Sequence, residues 1–218
     1  MGKPSDTLIV IDVESSGIDP AENSILSIGA VDFGNPGRRF YEECRMRHGA
    51  RYEQESLRIN GFSAEGITSG PKPFPETIVA DFCKWAEGTA ERTPAGHNVH
   101  FDLSFLYSEI RRCGIRFSLG HRNVDTHTLT YAHLLSRGIS PPMSKGRTDI
   151  TSDYVFEYVG IGSEPRPHRA INGAMMEAEA LSRLIYGSTL LEEYAMAPIP
   201  PYLLRAAKTT KDIDSPKA

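Results

Sequence analysis

The sequence predicts an α/β fold with one mixed sheet flanked by helices. Three observations predict it. Three strand-like segments come first in the chain. Helix-like and strand-like segments then alternate, the order expected when helices cover a sheet. The 218 residues, 39% of them hydrophobic, suffice for one domain with a full core.

Leu8–Val13, Ile25–Phe33 and Arg38–Arg45 read as strands. Gly17 and Asp19-Pro20 punctuate the first gap, and Asn35-Pro36-Gly37 marks a turn in the second. Pro73–Glu87 reads as a helix, Thr93–Asn98 as a short fourth strand, and Phe101–Cys113 as a helix. Arg122–Asp125 reads as a fifth strand that leads into a helix over Thr126–Ser136. Gly138–Thr151 is rich in Pro, Gly, Ser and basic residues and reads as a loop, with a short helix over Ser152–Val159. His168–Tyr186 is the best helix of the chain: Ala170, Ala174, Ala178, Leu181 and Ile185 recur every three or four residues and form one apolar stripe. The expected organisation is an extension over residues 1–6, one domain over 7–197, and a polar, Pro/Lys-rich flexible tail over 198–218.

Composition narrows the class. With 24% charged residues and no apolar run near the ~18–20 residues of a membrane span, the chain reads as soluble and without a membrane role. Met-Gly-Lys-Pro-Ser-Asp lacks the apolar centre of a signal peptide and matches the myristoylation pattern poorly. Cys44, Cys83 and Cys113 are odd in number and far apart, which points to reduced core thiols in a cytoplasmic protein. A net charge of −4 does not advertise a nucleic-acid binder. An acidic metal site would account for part of that balance, because a bound divalent ion reverses the local sign.

The chemistry starts at Thr7-Leu-Ile-Val-Ile-Asp12-Val-Glu14. On a strand, residues two apart share a face, so Asp12 and Glu14 point the same way. Two like charges at the end of a buried strand are costly unless a cation lies between them, and a hard divalent ion takes carboxylate oxygens. The plainer alternative is a strand running out into a polar turn. A second acid, Asp102, stands in His97-Asn98-Val-His-Phe101-Asp102, where its plainer use is a helix N-cap. The plainer use of His97 is a hydrogen-bonded, partly buried histidine. A third element is Pro167-His168-Arg-Ala, whose histidine is otherwise an exposed loop residue before a helix.

In this order and spacing, Asp12-x-Glu14, His97-Asn98-x-x-Phe101-Asp102 and His168-Arg-Ala resemble the DnaQ-like, or RNase T-like, DEDDh 3′→5′ exonucleases. Ile59-Asn-Gly-Phe-Ser-Ala-Glu-Gly-Ile-Thr and Val124-Asp125-Thr126 resemble further segments of that family. The likeness runs from about Thr7 to Tyr186 and implies a ribonuclease-H-like fold with a five-stranded mixed sheet. It implies two Mg²⁺ or Mn²⁺ ions about 4 Å apart, clamping a terminal phosphodiester. Asp12 would bridge both ions, Glu14 would hold the one beside the attacking water, Asp102 would serve the second, and His168 would take the water's proton. The implied substrates are single-stranded DNA or RNA 3′ ends, cut to nucleoside 5′-monophosphates; a homodimer is admitted.

One position departs from the family pattern. The fourth carboxylate should stand five residues after the histidine, at Gly173. Glu177 lies one helical turn beyond, on the same stripe, and side chains on a helix lean toward its N-terminus. Glu177 is therefore the candidate substitute ligand. Glu179 falls on another face with Arg183 four residues on, which reads as a surface ion pair. Replacing Gly173 with Asp and Glu177 with Ala would rebuild the family arrangement and should recover some activity. If no carboxylate substitutes, the alternative is a catalytically weak nucleic-acid-binding module, or a subunit of a replication or repair complex. For substrate contacts the resemblance suggests Ser15 and Ser16. Ile18 and Phe105 are candidates to wedge or stack a base, with ordinary core as the plainer use of both, and His97 and Asn98 are nearby; Lys145 and Arg147 are candidates for strand phosphates, or are simply solvated.

Overall fold

A computed structural model describes residues 8–204. Its five-stranded sheet has the order β3-β2-β1-β4-β5, formed by β1 (Leu8–Ser15), β2 (Ile25–Asp32), β3 (Arg39–Glu43), β4 (Thr93–Gly96) and β5 (Val124–Asp125). β1 runs antiparallel to β2 and parallel to β4, so the sheet is mixed as expected. The helices are α1 (Gln54–Asn60), α2 (Ala64–Ser69), α3 (Pro75–Glu87), α4 (His100–Arg112), α5 (Thr126–Ser136), α6 (Ser152–Tyr158) and α7 (Ala170–Tyr186). Among the described residues no helix is long and apolar enough to cross a membrane.

Period-two alternation along β1 sorts the two layers. Ile9, Ile11 and Val13 face the core shared with α3 and α4, while Val10 faces the core built on α7. Asp12 and Glu14 therefore stand on the α7 face. Each fully buried aliphatic side chain of these cores contributes about 1.5–3 kcal/mol.

The path of α7 is set by glycine. A β-carbon on Gly29 of β2 would fall 2.1 Å from the Ala170 carbonyl oxygen, so only a bare backbone lets the start of α7 rest on the middle of the sheet. Three residues on, Gly173 lies against Asp12 of β1. One further turn on, the Glu177 carboxylate lies over Gly96 of β4. The stripe at 170, 173 and 177 thus crosses β2, β1 and β4 in turn.

Several boundaries differ from those read in the sequence. β4 stops at Gly96 rather than Asn98, because Asn98 has φ 51 and a left-handed residue ends a strand. α7 starts at Ala170, leaving His168 and Arg169 in the preceding loop. The Gly138–Thr151 loop carries a two-residue hairpin, β6 (Met143–Ser144) with β7 (Arg147–Thr148). Lys145 and Gly146 both take positive φ there, as such a tight turn requires. α1 and α2 were not anticipated as helices. Of the stretch expected to be a flexible tail, Pro198–Leu204 packs on α6 and α7. Leu203 is buried and the Tyr202 hydroxyl donates to the Tyr158 carbonyl at 2.7 Å; residues 205–218 and 1–7 lie outside the described residues.

Candidate active site

β1 and β4 run parallel only as far as the Val10–Ala95 pair; the chain then leaves β4 toward α4. The C-terminal end of β1 is left bare on that side, the kind of crevice in which open α/β sheets place their ligands. Asp102, in the first turn of α4, fills the gap: its Oδ1 accepts the Val13 backbone N–H at 3.0 Å across 89 residues of sequence. This pins Asp102 beside Asp12 and Glu14, so it serves the strand and not the helix terminus as an N-cap. The pairing of β1 with β2 slips between Glu14 and Ser15, where the strand turns out of the sheet.

Glu177 points into the same crevice. It is 5% exposed, its Oε2 sits 3.0 Å from where a Gly96 β-carbon would be, and that oxygen has no hydrogen-bond partner. The other contact is the His97 backbone N–H, which donates to the carboxylate. Glu177 thus faces the crevice one turn beyond Gly173, with the Asp12 and Asp102 charges nearby.

The electrostatics are those of a crowded acid cluster. Burial, only partly offset by the Val13 amide, pushes Asp12 up to about 7. Burial, then the charges of Asp12, Glu164 and Asp102, push Glu14 up to about 9. Asp102 and Glu177 are held well above the usual carboxylate range, by burial first and by Asp12 second. No lysine or arginine forms an ion pair with any of these four among the described residues. Such a set repels itself and is relieved by a cation or by protons.

The donor chemistry and the orphaned Glu177 Oε2 fit a hard divalent ion. As they stand, no three His, Cys, Asp or Glu side chains among the described residues converge as a ligand set. An ion would have to draw the carboxylates inward against the spacing that their repulsion favours.

Glu164 was not singled out from the sequence. It lies in the loop before α7, and its side chain is only 7% exposed. Burial and then the Asp12 charge push it up to about 8. No motif or periodicity marks it; the nearest signal is its place four residues before His168. His168 stands at the rim of the cluster with Nδ1 3.5 Å from Glu164 Oε2, its Nε2 enclosed without a hydrogen-bond partner. Burial and then nearby Arg166 lower its pKa, favouring the neutral imidazole. Its loop is tied to α1 by the His168 N–H to Ile59 carbonyl bond at 3.1 Å, while Asn60 Nδ2 donates to the Ser15 carbonyl at 3.0 Å. The end of α1 thus braces both the strand end and the histidine loop.

The expected substrate contacts divide. Ile18 is 71% exposed on the loop after β1 and is free to meet a base. Phe105 is 1% exposed inside the α3/α4 core, so it has no face to offer a ligand. Ser16 is fully buried: its Oγ donates to the Arg51 carbonyl at 2.7 Å and accepts the Ser24 N–H at 2.9 Å. Ser15 Oγ is turned to the Gly17 carbonyl at 2.5 Å. Both hydroxyls shape the loop instead of facing a substrate. His97 is the hydrogen-bonded, partly buried histidine that its plainer reading describes, with Nδ1 2.9 Å from Thr126 Oγ1. His97 and Asn98 also line a cleft of about 650 Å³ with Asp125, His127 and Arg147.

Glu179 corrects an expectation. It and Arg183 are both fully buried, with Glu179 Oε1 2.6 Å from Arg183 Nε. Glu179 Oε2 accepts the N–H groups of Leu190 and Leu191, and Arg183 donates to the carbonyls of Val159, Tyr194, Ala197 and Pro198. The pair fastens the C-terminal segment to α7 and is no surface bridge.

The profile of the Exonuclease (RNase T) family matches residues 9–181. The DNA polymerase III subunit epsilon of Treponema pallidum is 30% identical over 121 residues, which cover 56% of this chain and 54% of that protein. Ribonuclease T of Haemophilus influenzae is 23% identical over 120 residues, covering 50% of this chain and 52% of that one. Among solved structures, E. coli Exonuclease I in complex with a dT13 oligonucleotide shares the fold. Its TM-score is 0.62 at 18% identity, over 81% of this chain and 41% of that one. The chain therefore spans about half the length of these relatives or less. The matched span contains Asp12 and Glu14 of β1, the start of α4, the His168 loop and the first three turns of α7, and the chain belongs to the exonuclease family of DnaQ-like and RNase T-like proteins.

Proposed function

We propose that the chain is a metal-dependent 3′→5′ exonuclease that hydrolyses single-stranded DNA or RNA from its 3′ end to nucleoside 5′-monophosphates. The observation that carries the reading is the meeting of Asp12, Asp102 and Glu177 from β1, α4 and α7 in one crevice, with His168 at its rim. Asp12, Glu14, Asp102 and Glu177 would hold divalent ions, Mg²⁺ or Mn²⁺, which when bound stabilise charge on the attacking and leaving oxygens. His168 would accept the attacking water's proton on Nε2. Ile18 would meet the terminal base. The His97–Asn98 cleft would hold part of the bound strand.

A second reading, a nucleic-acid-binding module of low turnover, draws on one observation: no three ligands are converged in advance. Matched, end-labelled DNA and RNA single strands with Mg²⁺, Mn²⁺ or chelator separate the two. A chelator-sensitive ladder shortening from the 3′ end supports the enzyme. Strand binding with no cleavage under either metal supports the binding module, and shortening from the 5′ end overturns the polarity.

A further inference from the structure

We infer that Glu164 is a positioning residue for His168: its carboxylate accepts the Nδ1 proton and so presents Nε2 as the basic nitrogen. The inference rests on His168 being the base of the proposed reaction, and Glu164 belongs to no motif that led to that proposal.

Three contacts carry it. Glu164 Oε2 lies 3.5 Å from His168 Nδ1, within a loop that buries the carboxylate. Glu164 Oε1 receives the Arg169 backbone N–H at 3.4 Å, so the two carboxylate oxygens face two consecutive residues, His168 and Arg169. Its own backbone N–H is held by Asp153 Oδ1 of α6 at 3.0 Å, which fixes where the side chain starts. A neutral imidazole has one N–H and one lone pair, and the partner of one nitrogen decides the role of the other. With Nδ1–H committed to Glu164, the lone pair falls on Nε2, the nitrogen that has no protein partner. The proton that leaves the attacking water then forms an N–H bond at Nε2, and above the about 8 to which Glu164 is pushed the resulting imidazolium keeps its Nδ1–H beside an ionised carboxylate. That carboxylate stabilises the cation as it forms.

The test reads the ring directly. ¹⁵N-labelled full-length protein is compared with Glu164→Ala and Glu164→Gln by long-range ¹H–¹⁵N spectroscopy without metal. The pH is set above the about 8 to which burial and Asp12 push Glu164, so that the carboxylate is ionised. The expected result is an Nδ1–H tautomer for His168 in the wild type and a shift toward Nε2–H in Glu164→Ala. Glu164→Gln keeps an acceptor and should recover part of the Nδ1–H population. In parallel, kcat should fall about ten- to a hundredfold in Glu164→Ala with KM little changed, less than the ~10²–10⁴-fold expected for loss of a general base itself. Mn²⁺ affinity should stay within about twofold. An Nε2–H tautomer in the wild type, or an unchanged tautomer in a folded Glu164→Ala protein, overturns the assignment. So does a large loss of Mn²⁺ affinity with the tautomer intact, which would make Glu164 a ligand. Should the wild type cleave no strand, the exonuclease reading fails while the tautomer measurement still decides what Glu164 does to the ring.

Discussion

A β-carbon added at position 173 would fall 2.2 Å from Asp12 Oδ2 and 2.8 Å from its Cγ. The absent side chain is therefore what lets the Asp12 carboxylate lie against the helix. Gly173→Ala should leave α7 formed, since alanine is the better helix residue by about 1 kcal/mol. It should also turn Asp12 out of its place and abolish metal-dependent cleavage. Gly173→Asp with Glu177→Ala meets the same clash, so it should stay inactive and not regain the family arrangement. Calorimetric Mn²⁺ titration beside a melting curve checks both; wild-type Mn²⁺ affinity in folded Gly173→Ala would refute the steric account.

Glu177 and Glu179 stand two residues apart and should respond oppositely. Glu177→Gln removes an acid whose charged form burial and Asp12 already disfavour, so the metal-free protein should be no less stable while Mn²⁺ affinity and turnover fall. Glu179→Gln leaves a fully buried Arg183 short of its counter-charge and should cost about 3–5 kcal/mol of stability, with Mn²⁺ affinity unchanged in the folded fraction. Denaturant melts and Mn²⁺ titrations of the two variants give the crossed pattern, or they do not.

What the sequence revealed follows from what periodicity encodes. The spacing of Asp12 and Glu14 fixed a shared face, and helical geometry alone placed Glu177 on the stripe through Gly173. Helical spacing also stated that Glu179 and Arg183 meet. It is silent on what covers them, and here the covering is Leu190–Leu191 and the Pro198–Leu204 segment, which have no pattern of their own. α1 and α2 are seven and six residues long, too short to display a stripe, and their value lies in tertiary bonds, from Ile59 and Asn60 of α1 and at the Ile67 carbonyl of α2, which accepts the Met46 N–H. Glu164 was invisible because a loop has no period. Phe105 stayed open between a core and a base because an aromatic on a helix fits either until the second layer is known, and here the layer of α3 encloses it.

His168→Ala should lower single-turnover cleavage by about 10²–10⁴-fold while single-strand binding is nearly retained. Neutral imidazole is the working form and burial lowers its pKa, so a first rise in rate lies on the acid side; ionisation of Glu164, pushed up to about 8, adds a second rise there. An unchanged rate in the variant would move the base elsewhere.

The acid cluster also makes a claim about stability without substrate. Asp12 is raised from 3.8 to about 7, Glu164 from 4.5 to about 8 and Glu14 from 4.5 to about 9. Between the lower and upper values the folded chain holds protons that the unfolded chain has released. Stability must then fall as pH rises through that window. This is the reverse of a salt-bridged carboxylate, whose contribution is lost on acidification. In chelator, the melting temperature should decline from about pH 5 to about pH 9. A divalent ion takes over the protons' work, so Mn²⁺ should raise the melting temperature, and by more at the upper end of the range. At a hundred times Kd the gain is about 2.7 kcal/mol. Glu177→Gln should flatten the chelator curve, because one of the interacting charges is gone. A metal-free melting temperature that rises with pH across this range, or a Mn²⁺ effect that shrinks toward high pH, is incompatible with four ionisable acids sharing one crevice.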